Sequence, residues 1–160
     1  MTVRKILTGI AFTLCAFLST AAAAGPSLAG ATLKLMHVVN DSDGGQASSA
    51  VFVEVLPETS VTVNLGRGYV VNVTADRLMI KFTRAEAWRE QGLFTGLVID
   101  NIAWSDAPSR RVSAVTLNTK MPGVGQERAD ISSHSAQIDF RGLSPKVGSI
   151  ITVNVETSGD

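Results

Sequence analysis

Two carboxylates one residue apart, followed by a glycine pair, stand in the stretch NDSDGGQ at residues 40–46. Calcium is the first chemistry they suggest. An EF-type loop needs oxygen ligands at positions 1, 3, 5 and 12 and glycine at position 6. With Asp41, Asp43 and Gly44 at positions 3, 5 and 6, position 1 falls on Val39 and position 12 on Ala50, neither with a side-chain oxygen. With Asp41 at position 1, Gly44 and Gly45 occupy positions 4 and 5. Neither register works. Residues 40–47 therefore read as an exposed connection between the first two strands, with Asp side chains bonding their own backbone and no EF-type calcium site, the alternative being an irregular calcium site at the sandwich edge.

Transition-metal chemistry finds no better footing. His37 and His134 lie far apart, and no Cys or His-x-His pair gives zinc or copper spacing. Each histidine reads as structural. Ser133-His134-Ser135 has the residue types of nucleophilic catalysis, but neighbouring strand residues point to opposite faces and form no triad. Gly66-Arg67-Gly68 is a hairpin turn rather than a phosphate loop, and no Gly-x-Ser-x-Gly elbow exists. Asp100, Asp106, Asp130 and Asp139 are the candidate acids for glycoside hydrolysis; dispersed in a neutral chain, they read as solvated carboxylates. No cofactor is implied.

Sugar recognition needs exposed aromatic faces flanked by polar groups. Tyr69, Trp88 and Trp104 are the candidates, and Trp104 in NIAWSDAPS leads because it ends a strand beside Asp106 and a Pro-containing loop. The expected ligand-binding set is therefore Trp104, Asp106, Tyr69 and Trp88, the alternatives being an edge-of-core plug for Trp104 and a cross-strand packing residue for Tyr69.

The elements that would position these residues are strands. ATLKLMHVV (31–39), SSAVFVEVL (48–56), SVTVNL (60–65), GYVVNVTA (68–75) and DRLMIKFT (76–83) alternate apolar with polar residues. FTGLVIDNI (94–102), RRVSAVTLN (110–118), RADISSH (128–134), AQIDFRGL (136–143) and GSIITVNVE (148–156) continue the pattern. Period two places Val51, Val53 and Val55 on one face and Phe52 and Glu54 on the other. LPE, LGRG, SDAPS, MPGVG and LSPKVG between them are turn chemistry. The pattern predicts an all-β chain, a single antiparallel β-sandwich. One short helix is expected near residues 84–91, with Thr83 as N-cap, Glu86 completing a capping box and Gly92 as stop. Trp88 on that helix would pack on the end of the sandwich.

The chain opens with the basic segment MTVRK, an apolar run ILTGIAFTLCAFLST and then AAAAG. This is the layout of a secretory signal peptide, with cleavage expected after Ala24 and Ala22 at the −3 position. The apolar run is shorter than the roughly 20 residues a membrane span needs. Residues 1–24 thus read as a leader and 25–160 as the β-sandwich domain. The leader takes the single cysteine, Cys15, with it; Leu14 before that cysteine is not the small residue a lipoprotein signal needs. Without Arg4 and Lys5, 12 basic residues face the 14 acidic ones. Such a balance offers no basic patch to nucleic acid and no charge run to a membrane surface.

LFTGLVIDNIAW, VSAVTLNTKM and RADISSHSAQIDFRGLSPKVGSIITVNVET together resemble the C-terminal half of small β-sandwich domains in exported bacterial proteins. Such domains occur in surface-sorted proteins and beside haemolysin-type calcium-binding repeats. The likeness spans roughly residues 69–156 and rests on Gly96, Asn118, Phe140, Gly142, Leu143 and Gly148, which are packing and turn positions. It implies export and a sandwich and brings no catalytic set. This chain has neither a C-terminal sorting segment nor Gly-Gly-x-Gly-x-Asp repeats.

Three functions follow in order. The first is a periplasmic or secreted non-catalytic sandwich that binds a glycan, matrix component or surface protein. The second is a structural or assembly subunit that self-associates through a sheet edge. The third is a hydrolase or lyase on a sandwich scaffold. A glycan binder should expose Trp104 or Tyr69 in a shallow groove; a hydrolase should gather carboxylates in a cleft.

Overall fold

The computed structural model describes residues 28–41 and 43–159. The expected leader, residues 1–24, lies outside the described residues. Eleven strands follow in order: β1 Ala31–Asp41, β2 Gly44–Ala47, β3 Val51–Glu54, β4 Ser60–Asn64, β5 Tyr69–Thr74 and β6 Arg77–Phe82. The second half contributes β7 Phe94–Trp104, β8 Arg111–Thr119, β9 Ala129–Ser132, β10 Ser135–Asp139 and β11 Ile150–Ser158. They form two antiparallel sheets packed face to face. In the first, β1 carries β2 and β3 along one side, and the order continues through β7 and β10 to β9. The second runs β4-β5-β6-β11-β8.

Alternation drives this arrangement residue by residue. Leu33, Leu35 and His37 of β1 point inward, as do Val71 and Val73 of β5, Leu78 and Ile80 of β6 and Ile151, Val153 and Val155 of β11. Each large aliphatic side chain moved from water into this core contributes about 1.5–3 kcal/mol. Phe52 and Glu54 face out while Val53 is buried, as the two-residue period requires.

β7 is the central strand of its sheet and has two departures from regularity. Gly96 leaves room where a Cβ would strike the Ile138 carbonyl of β10, and the Phe94 ring covers the gap. Asn101 adopts positive φ (51°) where the pairing with β1 shifts between Thr32 and Lys34. That bulge advances the chain by one residue and keeps Ile102 and Trp104 turned to the core beyond it.

The edges are treated unequally. On β8 the Gln126 side chain imitates a neighbouring strand, bonding Leu117 N at 3.1 Å and Leu117 O at 3.0 Å. Among the described residues β4 pairs only with β5, and apart from the buried Val63 its residues are exposed.

Two expectations need correction. Residues 83–92 are not helical; the only helix among the described residues is a short 3₁₀ turn at Gln126–Arg128. Backbone partners elsewhere override the local helix signals: Trp88 N donates to Leu143 O at 2.8 Å, Gly142 N to Trp88 O at 3.1 Å, and Thr83 N to Gly68 O at 2.8 Å. Groups bonded across the chain in this way are not free for an i to i−4 ladder. Nor does the sheet stop at Val39. β1 runs on to Asp41 and pairs with β2, whose Gly44 opposes Asp41 and whose Ala47 opposes Val38, although the hairpin tip is fully exposed. No helix among the described residues is long and apolar enough to cross a membrane.

Candidate functional site

One end of the sandwich is built from aromatic rings contributed by both sheets. Tyr69 opens β5, Phe82 closes β6, Phe140 follows β10, and Trp88 reaches them from the irregular 83–92 segment. Tyr69 meets Phe140 edge-on at 5.3 Å between centroids, and Trp88 lies 5.7 Å from Phe140. His37 enters this cluster from β1, its centroid 5.2 Å from Trp88 and 5.8 Å from Tyr69. Ser48 anchors the strand there, accepting from His37 N through its hydroxyl and donating its own N–H to His37 O.

His37 is 1% exposed, and its Nδ1 lies 3.1 Å from the Tyr69 hydroxyl. Burial pulls the imidazole down to about 4, with the Arg67 charge adding to the effect, so at neutral pH the ring is uncharged. Burial pushes the Tyr69 phenol up, so it keeps its proton. Among the described residues the Tyr69 hydroxyl is hydrogen-bonded to His37 Nδ1; with the phenol as donor, the imidazole hydrogen sits on Nε2. Nε2 is buried with no partner, and so is the indole Nε1 of Trp88. An enclosed donor left unmet costs about 1–3 kcal/mol. Here two of them sit on adjoining rings.

A cavity of about 270 Å³ is lined by both rings. Its remaining walls are polar or charged for the most part: Arg67 from the β4–β5 turn, Asp41 from the end of β1, Thr95 from β7, and Glu86, Arg89 and Gln91 from the irregular segment. Among the described residues Arg67 and Arg89 are in no ion pair. The Glu86 carboxylate lies against the Gly68 backbone and that of Asp41 against Gly92. The segment itself is tied down at its far end, where Arg141 donates to Gly92 O at 2.7 Å while pairing with Asp139 at 2.7 Å. Burial alone would raise the Asp139 carboxyl, but hydrogen bonds from the Arg141 side chain and backbone hold it below the usual carboxylate range.

The structure thus brings Tyr69 and Trp88 together and adds His37, which sequence reasoning had assigned a structural part. It sets Trp104 and Asp106 apart. Thr95 lies at the cavity, and Trp104 stands nine positions further along β7, on the order of 25–30 Å away at about 3.3 Å per residue. Tyr69 and Trp104 are 1% and 2% exposed, so neither offers the open stacking face expected of it. Trp104 packs under the Arg110 guanidinium, 5.6 Å from its ring centroid. Asp106 is exposed and faces Gly30.

A larger open groove, about 820 Å³, lies between residues 119–123 and 142–150, with Lys120 and Lys146 on its walls. No buried unpartnered group faces it, and the smaller cavity is the better-built site for that reason. The four candidate acids do not converge. Asp100 pairs with Lys34 and Asp139 with Arg141, Asp130 bonds its neighbour's backbone, and none of them or Asp106 lines either cavity. Ser133 and His134 lie in the β9–β10 turn rather than on strands, and there the serine hydroxyl does reach His134 Nδ1 at 2.9 Å. Among the described residues no carboxylate is hydrogen-bonded to His134, so the orienting member of a triad is missing there. Among the described residues no group of three or more His, Cys, Asp or Glu side chains converges on a metal-sized site.

The chain matches no protein-family model, no curated protein and no solved structure.

Proposed function

We propose that this is a non-catalytic β-sandwich binding protein that works outside the cytoplasm. Its ligand is a small polar molecule, or the terminal sugar of a larger glycan, held in the His37–Trp88 cavity. One observation carries the reading: two residues whose ring nitrogens are buried without a partner, His37 and Trp88, line a cavity whose other walls are mostly polar side chains. The cavity lies just below the roughly 300–1,000 Å³ of sites for drug-sized molecules, which suits a monosaccharide. The basic-apolar-small pattern of residues 1–24 supports export, as does the likeness of residues 69–156 to exported sandwich domains. The dispersal of the acids favours binding over hydrolysis.

The test is a thermal-shift screen of monosaccharides and oligosaccharides against the wild type and His37→Phe. Occupation at about 100 times Kd stabilises by about 2.7 kcal/mol, which moves Tm by several degrees in a domain of this size. At least one sugar should do this in the wild type and not in the variant. A panel that leaves the wild-type Tm unmoved would contradict the reading.

Assembly through a sheet edge has its own support in the uncharged β4 strand (Ser60–Asn64), which pairs with β5 on one side only, and the exposed Phe52 and Leu56 close to it in the chain. Sedimentation across a hundredfold concentration range should then show a dimer that Thr62→Lys removes. A monomer at every concentration would contradict this second reading.

A further inference from the structure

The cavity specifies more than a polar guest. Resting on the binding reading above, we propose that it is a carboxylate site and that its occupant is an acidic sugar, a uronic acid free or at the end of a chain.

The donor set points to a carboxylate. His37 and Trp88 both line the cavity, and among the described residues neither His37 Nε2 nor Trp88 Nε1, the two ring donors, has an acceptor. A water or a neutral hydroxyl brings a hydrogen that itself needs an acceptor. An ionised carboxylate only accepts, with two oxygens to serve two donors, and such charge-assisted bonds are about twice as strong as neutral ones. The local charge agrees. Arg67 lines the cavity together with His37 and, among the described residues, has no ion-pair partner, so it brings an uncompensated positive charge to the wall that His37 shares. The acids of the cavity, Asp41 and Glu86, lie against the glycine backbones of Gly92 and Gly68.

The remaining walls select what carries the carboxylate. An alkyl chain would meet Asp41, Glu86, Arg89 and Gln91, none of which it could satisfy. A sugar ring presents hydroxyls that donate to Asp41 and Glu86 and accept from Arg89 and Gln91, and an apolar face that can lie on Trp88. About 270 Å³ holds one such ring.

The test is calorimetric titration of the protein with glucuronate, glucose, the methyl ester of glucuronic acid, acetate and a short uronic-acid oligomer. Glucuronate should bind at least tenfold more tightly than glucose, the ester or acetate. Arg67→Ala should weaken glucuronate at least tenfold; Arg67 is exposed in a turn, so this variant keeps the core intact, unlike His37→Phe. Glucose binding as tightly as glucuronate, with both lost in His37→Phe, would overturn the acidic ligand while leaving the sugar site standing. Acetate binding as tightly as glucuronate would overturn the sugar and leave the carboxylate. No binding by any of the five would overturn this proposal, while the broader saccharide screen above decides the binding reading separately. The oligomer arm locates the source: tighter binding than the monomer assigns the site to a chain end, equal binding to the free sugar.

Discussion

The imidazole of His37 and the indole of Trp88 lie 5.2 Å apart between centroids, and each holds a buried nitrogen with no hydrogen-bond partner. The two residues come from places that share no local element: a regular inward position on β1 and an irregular segment between β6 and β7. Buried polar groups in folded proteins are nearly always paired, so a side-by-side exception on a cavity wall demands an explanation. A ligand that supplies acceptors would satisfy both nitrogens, which makes the aromatic end of the sandwich the place to probe.

The state of His37 can be read from stability. Unfolded, its imidazole titrates near 6.5; folded, at about 4. Between those values the unfolded chain binds a proton that the folded protein refuses. The His37 contribution is therefore complete above about pH 6.5 and is lost as pH falls toward about 4. The loss is on the order of 3 kcal/mol at about 1.36 kcal/mol per unit. Urea denaturation of wild type and His37→Phe across this range should give a difference that narrows as pH falls. Asp139 titrates in both proteins and cancels. A difference that stays constant would show that His37 is not held neutral.

Trp88 should prove to be the anchor of residues 83–92. Trp88→Ala removes a half-buried ring from the aromatic cluster and should cost about 2 kcal/mol. With the ring gone the segment opens locally, and trypsin should cut after Arg84 and Arg89 on the order of tenfold faster. Mass spectrometry of the fragments locates the cuts. Unchanged cleavage would mean that the backbone bonds to Leu143 and Gly142 hold the segment unaided.

How much of this was legible in the sequence depends on how local the determinants were. β5 and β6 are uninterrupted alternation flanked by turns, and period two places their inward residues correctly. Residues 83–92 carry an N-cap, a capping box and a glycine stop, all local signals. Their conformation is decided instead by pairing with Gly68, Gly142 and Leu143, which no local pattern encodes. Trp104 looked like a strand end beside a loop, but the bulge at Asn101 turns it inward. Gly44 and Gly45 hid β2, because glycine has no side chain to show alternation. His37 was placed on a strand correctly. Its meaning was not legible, because its partners Tyr69 and Trp88 reach it only through the sandwich topology.

Gly96 is expected to tolerate no side chain. In Gly96→Ala the new methyl meets the Ile138 carbonyl and the Phe94 ring in the middle of the sheet. Overpacking against backbone should cost about 2–3 kcal/mol, measurable by urea denaturation. A cost below about 0.5 kcal/mol would show that β7 and β10 separate more readily than their register implies.

Export is tested by mass. Protein recovered outside the cytoplasm should begin near Gly25, and intact-mass measurement reads the start directly. A species that retains Cys15 would contradict cleavage at the expected site.

The most direct test of the ligand site uses the two indole N–H signals that the two tryptophans provide in a ¹H–¹⁵N spectrum, assigned by the loss of one in Trp88→Phe. Both indole nitrogens are buried without a partner, but only Trp88 lines the cavity. On titration with glucuronate and, in parallel, neutral sugars, the Trp88 signal should move downfield and saturate while that of Trp104 stays fixed. A Trp88 signal that stays where it is, or two signals that drift together, would contradict a ligand site between His37 and Trp88.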